Sequence, residues 1–281
     1  MKNNMTGKTC LVTGANSGIG KATAEALARM GARVAIVCRS RERGLPALEE
    51  IKKKSDTSTV ELMTCDFASQ KQIRRLADEF LSGHDRLDVL INNAGLMRRH
   101  RETTEEGLEM TFAVNHLGYF LLTNLLLDML KKSAPSRIVN VASVAHMTGT
   151  INFDDLQGER DYSSMGAYRQ SKLANILFTY ELARRLEGTG VTVNCLHPGV
   201  IATNIARDMP KAVRLALRAF FKGAEKGAET SIYLAASPDV EGVTGKYFDD
   251  KKEARSNQES YSREVALRLW DVSAELTGLM S

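Results

Sequence analysis

The chain predicts an α/β fold wound around one parallel sheet, and three observations predict it. Short apolar runs at 9–13 (TCLVT), 33–38 (RVAIVC), 60–65 (VELMTC), 87–92 (LDVLIN), 137–142 (RIVNVA) and 191–196 (VTVNCL) alternate with longer helical patterns. That rhythm is one of repeated βαβ units. The runs are continuously apolar, which fits strands covered by helices on both faces and therefore a parallel, doubly wound sheet. The first run ends in a glycine-rich turn, Thr13-Gly14-Ala15-Asn16-Ser17-Gly18-Ile19-Gly20, that opens a helix over 18–30. With a further strand-like stretch in GKYFDDKK the sheet reaches about seven strands, and ligands are expected at their carboxyl ends.

Composition narrows the function classes. The 281 residues, 43% hydrophobic and with few prolines, can bury a sizeable core. No linker, low-complexity tract or repeat interrupts them, so 1–281 is expected to be a single domain. Cys10, Cys38, Cys65 and Cys195 each fall in an apolar run, the pattern of core thiols in a reducing compartment rather than of disulfides or a metal site. No apolar run approaches the ~20 residues of a membrane span, and the start MKNNMTGK lacks a signal-peptide core. A soluble, cytoplasmic protein is the expectation. A net charge of +4, dispersed and without aromatic-basic tracts, argues against nucleic acid and towards small-molecule chemistry.

Taken in order, the turns after the strands hold the polar residues of interest. Glycines in the first turn let the backbone approach a pyrophosphate, whose charge a helix N-terminus favours, although a tight turn without ligand has the same composition. The second strand ends in Cys38-Arg39-Ser40-Arg41, with no carboxylate. Asp66 follows the third strand, with helix capping as its structural alternative. Asn92-Asn93-Ala94-Gly95 follows the fourth, where small residues admit a ligand or a neighbouring helix. Asn115 interrupts the apolar pattern TFAVNHLGYFLLTNLLLDML, and a polar residue there predicts a bend. Ser143 stands just past the fifth strand.

Tyr168 and Lys172 come next, one turn apart on a helix predicted over 165–187, with Ser163 or Ser164 as cap, Leu173, Ile176, Leu177, Tyr180 and Ala183 as its apolar positions and Gly188 as its stop. A phenol and an amine so placed can move a proton. Tyr247 and Lys251 repeat the spacing, but outside a helix and beside Asp249 and Asp250, which are expected to neutralise the lysine.

The ordered set TGANSGIG (13–20), CDF (65–67), NNAG (92–95), Asn115, Ser143, YRQSK (168–172) and HPG (197–199) resembles the short-chain dehydrogenase/reductase family over nearly the whole chain. VCRS (37–40), YRQSKLAN (168–175), EGVTGKYF (241–248), and RLW followed by ELTGL are similar to its retinol-dehydrogenase-like branch. The resemblance implies a Rossmann-type fold and a nicotinamide cofactor. It implies that Gly14, Asn16, Ser17, Gly18, Ile19 and Gly20 hold the diphosphate, and that Asp66 and Phe67 meet the adenine. Asn93, Ala94 and Gly95 would line the cofactor, and Pro198, Gly199 and Thr203 would close over the nicotinamide. An NAD enzyme usually offers a carboxylate where this chain has Arg39, so NADP(H) is favoured, the guanidinium meeting the 2′-phosphate. The bland alternative, that Arg39, Arg41 and Arg43 solvate a helix start, sets cations against the helix dipole.

The same resemblance makes Asn115, Ser143, Tyr168 and Lys172 the catalytic set, with no metal. A free phenol titrates near 10, so Lys172 and an oxidised nicotinamide are expected to favour the phenolate. Hydride would pass between nicotinamide and substrate carbon while Tyr168 transfers the proton, Ser143 orients the oxygen, and Asn115 and Lys172 hold a water relay. His197 reads as a structural loop histidine. The expected activity is NADP(H)-dependent interconversion of a hydrophobic aldehyde or ketone and its alcohol; the rival is a catalytically silent NADP(H)-binding regulatory or scaffold protein.

Segments 144–164 and 200–222 are expected to wall the substrate pocket. Within 209–222, Met209, Val213, Leu217, Phe220 and Phe221 recur at helical spacing among Lys211, Arg214, Arg218 and Lys222, a pattern open to core packing, a lid, or contact with an anionic membrane. The helix carrying Leu117, Phe120, Leu121, Leu122, Leu125, Leu126, Leu127 and Leu130 is apolar over more of its circumference than one sheet face requires, which points to a homodimer. The last helix carries Val265, Leu269, Val272 and Leu276 on one stripe, with Trp270 adjacent as a packing residue.

Overall fold

A computed structural model describes residues 4–199 and 223–279. Its first half runs β1 (Thr9–Thr13), α1 (Gly18–Arg29), β2 (Arg33–Cys38), α2 (Arg41–Ser55), β3 (Val60–Thr64), α3 (Gln70–Gly83) and β4 (Val89–Asn92). The predicted long helix follows as α4 (Met110–Phe112), a π-helical turn (Ala113–Leu117), α5 (Gly118–Leu125) and α6 (Leu127–Lys132). Then come β5 (Ser136–Val141), a 3-10 turn (Val144–Thr148), α7 (Ser164–Arg185), β6 (Val191–His197), α8 (Ala224–Ala236), β7 (Lys246–Asp249), β8 (Lys252–Glu253) and α9 (Arg263–Leu276).

The strands form one sheet in the order β3-β2-β1-β4-β5-β6-β7-β8. All neighbours are parallel except β7 and β8. The sheet thus has one strand more than the apolar runs predict. β8 is two charged residues long and reads as loop; Asp250 and Lys251 both take left-handed backbone (φ 46 and 64), the geometry that closes a two-residue hairpin. The winding direction reverses between β1 and β4, so the glycine turn after β1 and the Asn92–Gly95 segment after β4 emerge side by side.

One apolar layer lies under α3, α5 and α7, with Phe80, Leu90, Phe120, Leu126 and Phe178 among its buried members. A second lies under α1, α2 and α8, built on Val12, Leu27, Ile36, Ile51 and Leu234. The two layers account for the unbroken apolar strands, since each face has its own helices to meet. All four cysteines are buried, and burial pushes the Cys38 and Cys65 thiols up to about 12. Polar groups also cross the core: Asn92 Nδ2 donates to Thr123 Oγ1 and Asn140 Oδ1, both at 2.9 Å, and Asn140 Nδ2 to Thr179 Oγ1 at 2.9 Å. These bonds tie β4 and β5 to α5 and α7, because buried amides must find partners.

Much of the apolar excess on the helical stretch 117–130 is buried within the chain. Leu117, Phe120, Leu121, Leu122, Leu126 and Leu130 are at most 2% exposed. Part of the cover is α9. Trp270 stands edge-on to Phe120 at 4.9 Å, Arg185 lies 4.0 Å over the Trp270 ring, and His116 Nε2 meets Ser273 Oγ at 2.9 Å. Gln70 and Arg74 then hold the Leu276 and Thr277 carbonyls at 2.7 and 2.6 Å. Most of the surface that suggested a homodimer is thus buried within the chain, with Leu125 and Leu127 half-buried. Among the described residues, no helix is long and apolar enough to cross a membrane.

Candidate active site

Ser163 Oγ caps α7 by accepting from Gly166 N at 3.3 Å, and this fixes where Tyr168 leaves the helix. Tyr168 and Lys172 are 9% and 4% exposed, facing the carboxyl end of β5. Lys172 Nζ donates to the Val141 carbonyl at 2.9 Å and lies 5.7 Å from the centre of the Tyr168 ring. Ser143, two residues past that carbonyl, stands near enough to the Tyr168 phenol to lower its pKa. Its own hydroxyl also accepts from Ala145 N at 3.2 Å, starting the 3-10 turn.

Burial pushes the Tyr168 phenol above its ordinary value, and the nearby Ser143 hydroxyl pulls part of the way back. The amine of Lys172 is itself drawn down to about 7 by burial. The expected depression of Tyr168 by a full ammonium is absent from the chain alone, because near neutral pH that amine is only partly charged.

Asn115 sits in the π-helical turn, where the sequence predicts a bend. Its Oδ1 accepts from Leu96 N at 2.8 Å, and its Nδ2 donates to the Leu96 carbonyl at 2.9 Å and to Ser171 Oγ at 3.0 Å. The extra backbone residue of a π turn re-aims one side chain; here Asn115 joins the strand-β4 loop to α7. Gly95 lies against this group, since a Cβ on it would stand 3.3 Å from Asn115 Oδ1 and 3.7 Å from Lys172 Nζ. Tyr119 and Ser171 also belong to this neighbourhood. The sequence reading missed both; Tyr119 lies one turn after Asn115, and that spacing was the available signal.

The glycine turn is packed on one side and open on the other. A Cβ at Gly14 would fall 2.8 Å from Ala94 Cα, and one at Gly20 would fall 2.6 Å from the Gly14 carbonyl oxygen. Gly18, with φ +59, would meet nothing within 4 Å. Asn93 Nδ2 donates to the Thr13 and Gly14 carbonyls at 2.8 and 3.3 Å, while Thr13 Oγ1 accepts from Asn93 N and Ala94 N. Asn93 and Ala94 therefore brace the turn. Ser17 occupies the N-cap position of α1, whose first turn, with Ile19, has no acidic residue. That unopposed helix dipole and the open Gly18 side form a cradle that fits a diphosphate, with Asn16 half-buried in the turn.

Arg39 is exposed just past β2; among the described residues Arg39, Arg41 and Arg43 form no ion pair. Asp66 does not cap α3. Ser69 does, accepting from Gln72 N, while Asp66 Oδ1 accepts from Ala68 N at 3.0 Å. The Phe67 ring is buried against Gly118, so only its backbone can face a ligand. His197 ends β6 as a buried residue, and Pro198 and Gly199 follow, half-buried. Thr203 and segments 200–222 and 209–222 lie outside the described residues.

The rest of 144–164 is bound in place: Asn152 N donates to Gln170 Oε1 at 2.9 Å, and Tyr162 OH to the Arg98 carbonyl at 2.9 Å. Val144, Met147 and Met165 remain exposed. The repeated Tyr247–Lys251 spacing is no such site. Burial raises the Tyr247 phenol, and Lys251 Nζ pairs chiefly with Glu229 at 2.8 Å rather than with the adjacent aspartates. Among the described residues no cluster could hold a metal ion.

The sequence pattern of the family described as short chain dehydrogenase matches residues 8–214. Retinol dehydrogenase 14 of Homo sapiens is 50% identical over 295 residues, covering 98% of this chain and 88% of its own. A solved structure from Mycobacterium paratuberculosis, of a protein described as uncharacterized, superposes with a TM-score of 0.81 at 35% identity, covering 98% of this chain and 95% of that one. The Pseudomonas aeruginosa RhlG/NADP active-site complex gives 0.71 at 27% identity, covering 87% and 95%.

Proposed function

The chain belongs to the short chain dehydrogenase family, and from that premise we propose that it is an NADP(H)-dependent oxidoreductase interconverting a hydrophobic aldehyde or ketone and its alcohol. One observation carries the reading: the buried Tyr168 phenol with the Lys172 amine 5.7 Å from its ring centre and the Ser143 hydroxyl near it, at the strand ends beside an open glycine cradle. The bound nicotinamide supplies or accepts the hydride.

The chain's residues do the rest. Ser143 and Tyr168 both present hydroxyls to the substrate oxygen, so charge developing there is met by preset donors. Tyr168 gives its proton to that oxygen in reduction and takes it back in oxidation. A charged Lys172 amine favours the phenolate left on Tyr168, which regains its proton from solvent, and Asn115 holds the Leu96 backbone beside it. Gly14, Gly18, Gly20, Asn16, Ser17 and Ile19 form the diphosphate cradle; Asn93, Ala94, Gly95, Asp66, Phe67, Pro198, Gly199 and Thr203 complete the cofactor site. Arg39, which forms no ion pair among the described residues, is a donor for a 2′-phosphate, and the NADP named in the RhlG complex supports the same cofactor. Exposed Val144, Met147 and Met165 beside Ser143 and Tyr168 favour an apolar substrate, as does the retinol named for the human relative.

The test is NADPH consumption, followed by its absorbance, against aldehydes and ketones of graded chain length. Turnover rising with apolar length supports the reading. Tight NADPH binding with no turnover across the panel would favour a silent cofactor-binding protein instead.

A further inference from the structure

The Lys172 amine is buried yet faces no charged side chain among the described residues, and burial draws it down. From α7 it meets Tyr168, and from β5 the Val141 carbonyl. The loop after β4 presents Gly95, with Asn115 of the π turn beside it. From α5 it meets Tyr119, whose ring centre is 5.9 Å from Nζ, against 5.7 Å for Tyr168. The amine thus lies near two aromatic rings with one carbonyl acceptor for its three N–H bonds.

Tyr119 is fully buried, and its hydroxyl has no hydrogen-bond partner among the described residues. It lies close enough to Tyr168 for that phenolate's charge to oppose its own ionisation. A hydroxyl that makes no hydrogen bond contributes little where it stands, so what Tyr119 offers this site is its ring. Aromatic faces carry negative potential, and they attract an ammonium most strongly where water is excluded.

We propose that Tyr119 is a positioning residue for the Tyr168–Lys172 pair, its ring face standing in for the missing carboxylate, helping the Lys172 amine hold its proton and directing it towards Tyr168. The inference rests on the acid/base reading of that pair, but it is measured on Lys172 itself.

The experiment is an NMR pH titration of the full chain with 15Nζ-labelled lysine, the Lys172 signal being assigned by its loss in Lys172→Met. Tyr119→Leu and Tyr119→Met both lack a π face, and either suffices if the other fails to fold. Each lowers the Lys172 midpoint by about one pH unit, roughly tenfold in proton dissociation, while Tyr119→Phe holds it. An unchanged midpoint in the Leu or Met variant overturns the proposal. An equal fall in Tyr119→Phe also overturns it, because the hydroxyl would then carry the effect. Wild-type protein that binds NADPH but turns over no carbonyl, with the midpoint still falling in Leu or Met, refutes the enzymatic reading and leaves this one standing.

Discussion

Lys172 shows how a single residue trades stability for chemistry. An unfolded lysine keeps its proton to about 10.5, whereas in the fold burial draws the amine down to about 7. Between those values the unfolded chain binds the extra proton, so stability rises with pH across that window; below it the full penalty remains. Lys172→Met is therefore expected to stabilise the chain by roughly 2–4 kcal/mol at pH 7, with the gain vanishing above about pH 10. Denaturant unfolding of both proteins across that range checks the sign. Arg39 gives a second residue-scale prediction. Arg39→Asp should weaken NADPH far more than NADH, by about 2 kcal/mol for a lost charge-assisted contact; calorimetric titration with both cofactors reads the ratio, and an unchanged ratio refutes the phosphate role.

At the scale of elements, the π turn and α9 act together. His116, next to Asn115, is buried and drawn down to about 4 by burial, an effect that Asn175 offsets in part. Its Nε2 meets Ser273 on α9. A histidine kept neutral in the fold but protonated when released makes docking weaken as pH falls from about 6.5 towards 4. The chain's one tryptophan, Trp270, packs in the same seam, so its fluorescence reports α9 directly. Denaturation followed by Trp270 emission should shift to lower denaturant over that pH range, and His116→Gln should flatten the dependence. The sequence showed a polar interruption at Asn115 and an apolar stripe on α9, but not their meeting. Long-range packing decided that the stripe meets Phe112, Leu117, Leu173 and Leu177 of α4, the π turn and α7, and periodicity within one helix carries no such information.

For the molecule as a whole, the central strands that carry the site were legible because each is buried on both faces and so reads as an apolar run, while the edge strand β3 is only partly buried. β8 was not legible, being two charged residues held by one hairpin, and β4 begins at Val89, two residues later than its run, after the inward-facing Asp88. Asp88 is 2% exposed. Burial alone would raise its pKa, but Arg86, the Thr9 amide and Lys8 together hold it below the ordinary value. Its contribution is present above about pH 4 and lost as pH falls through the lowered value. Asp88→Asn should cost about 2–3 kcal/mol at neutral pH, measurable by thermal unfolding, and remove that part of the acid sensitivity. The motif residues were legible too, from their order along strand ends, whereas the balance of charge between Tyr168 and Lys172 depends on burial that no spacing encodes. The central claim is that Tyr168 moves the proton, and the direct measurement is turnover by Tyr168→Phe with NADPH affinity measured alongside. The account predicts turnover lower by at least about 100-fold with affinity nearly unchanged; substantial residual turnover in a variant that binds NADPH normally would contradict it.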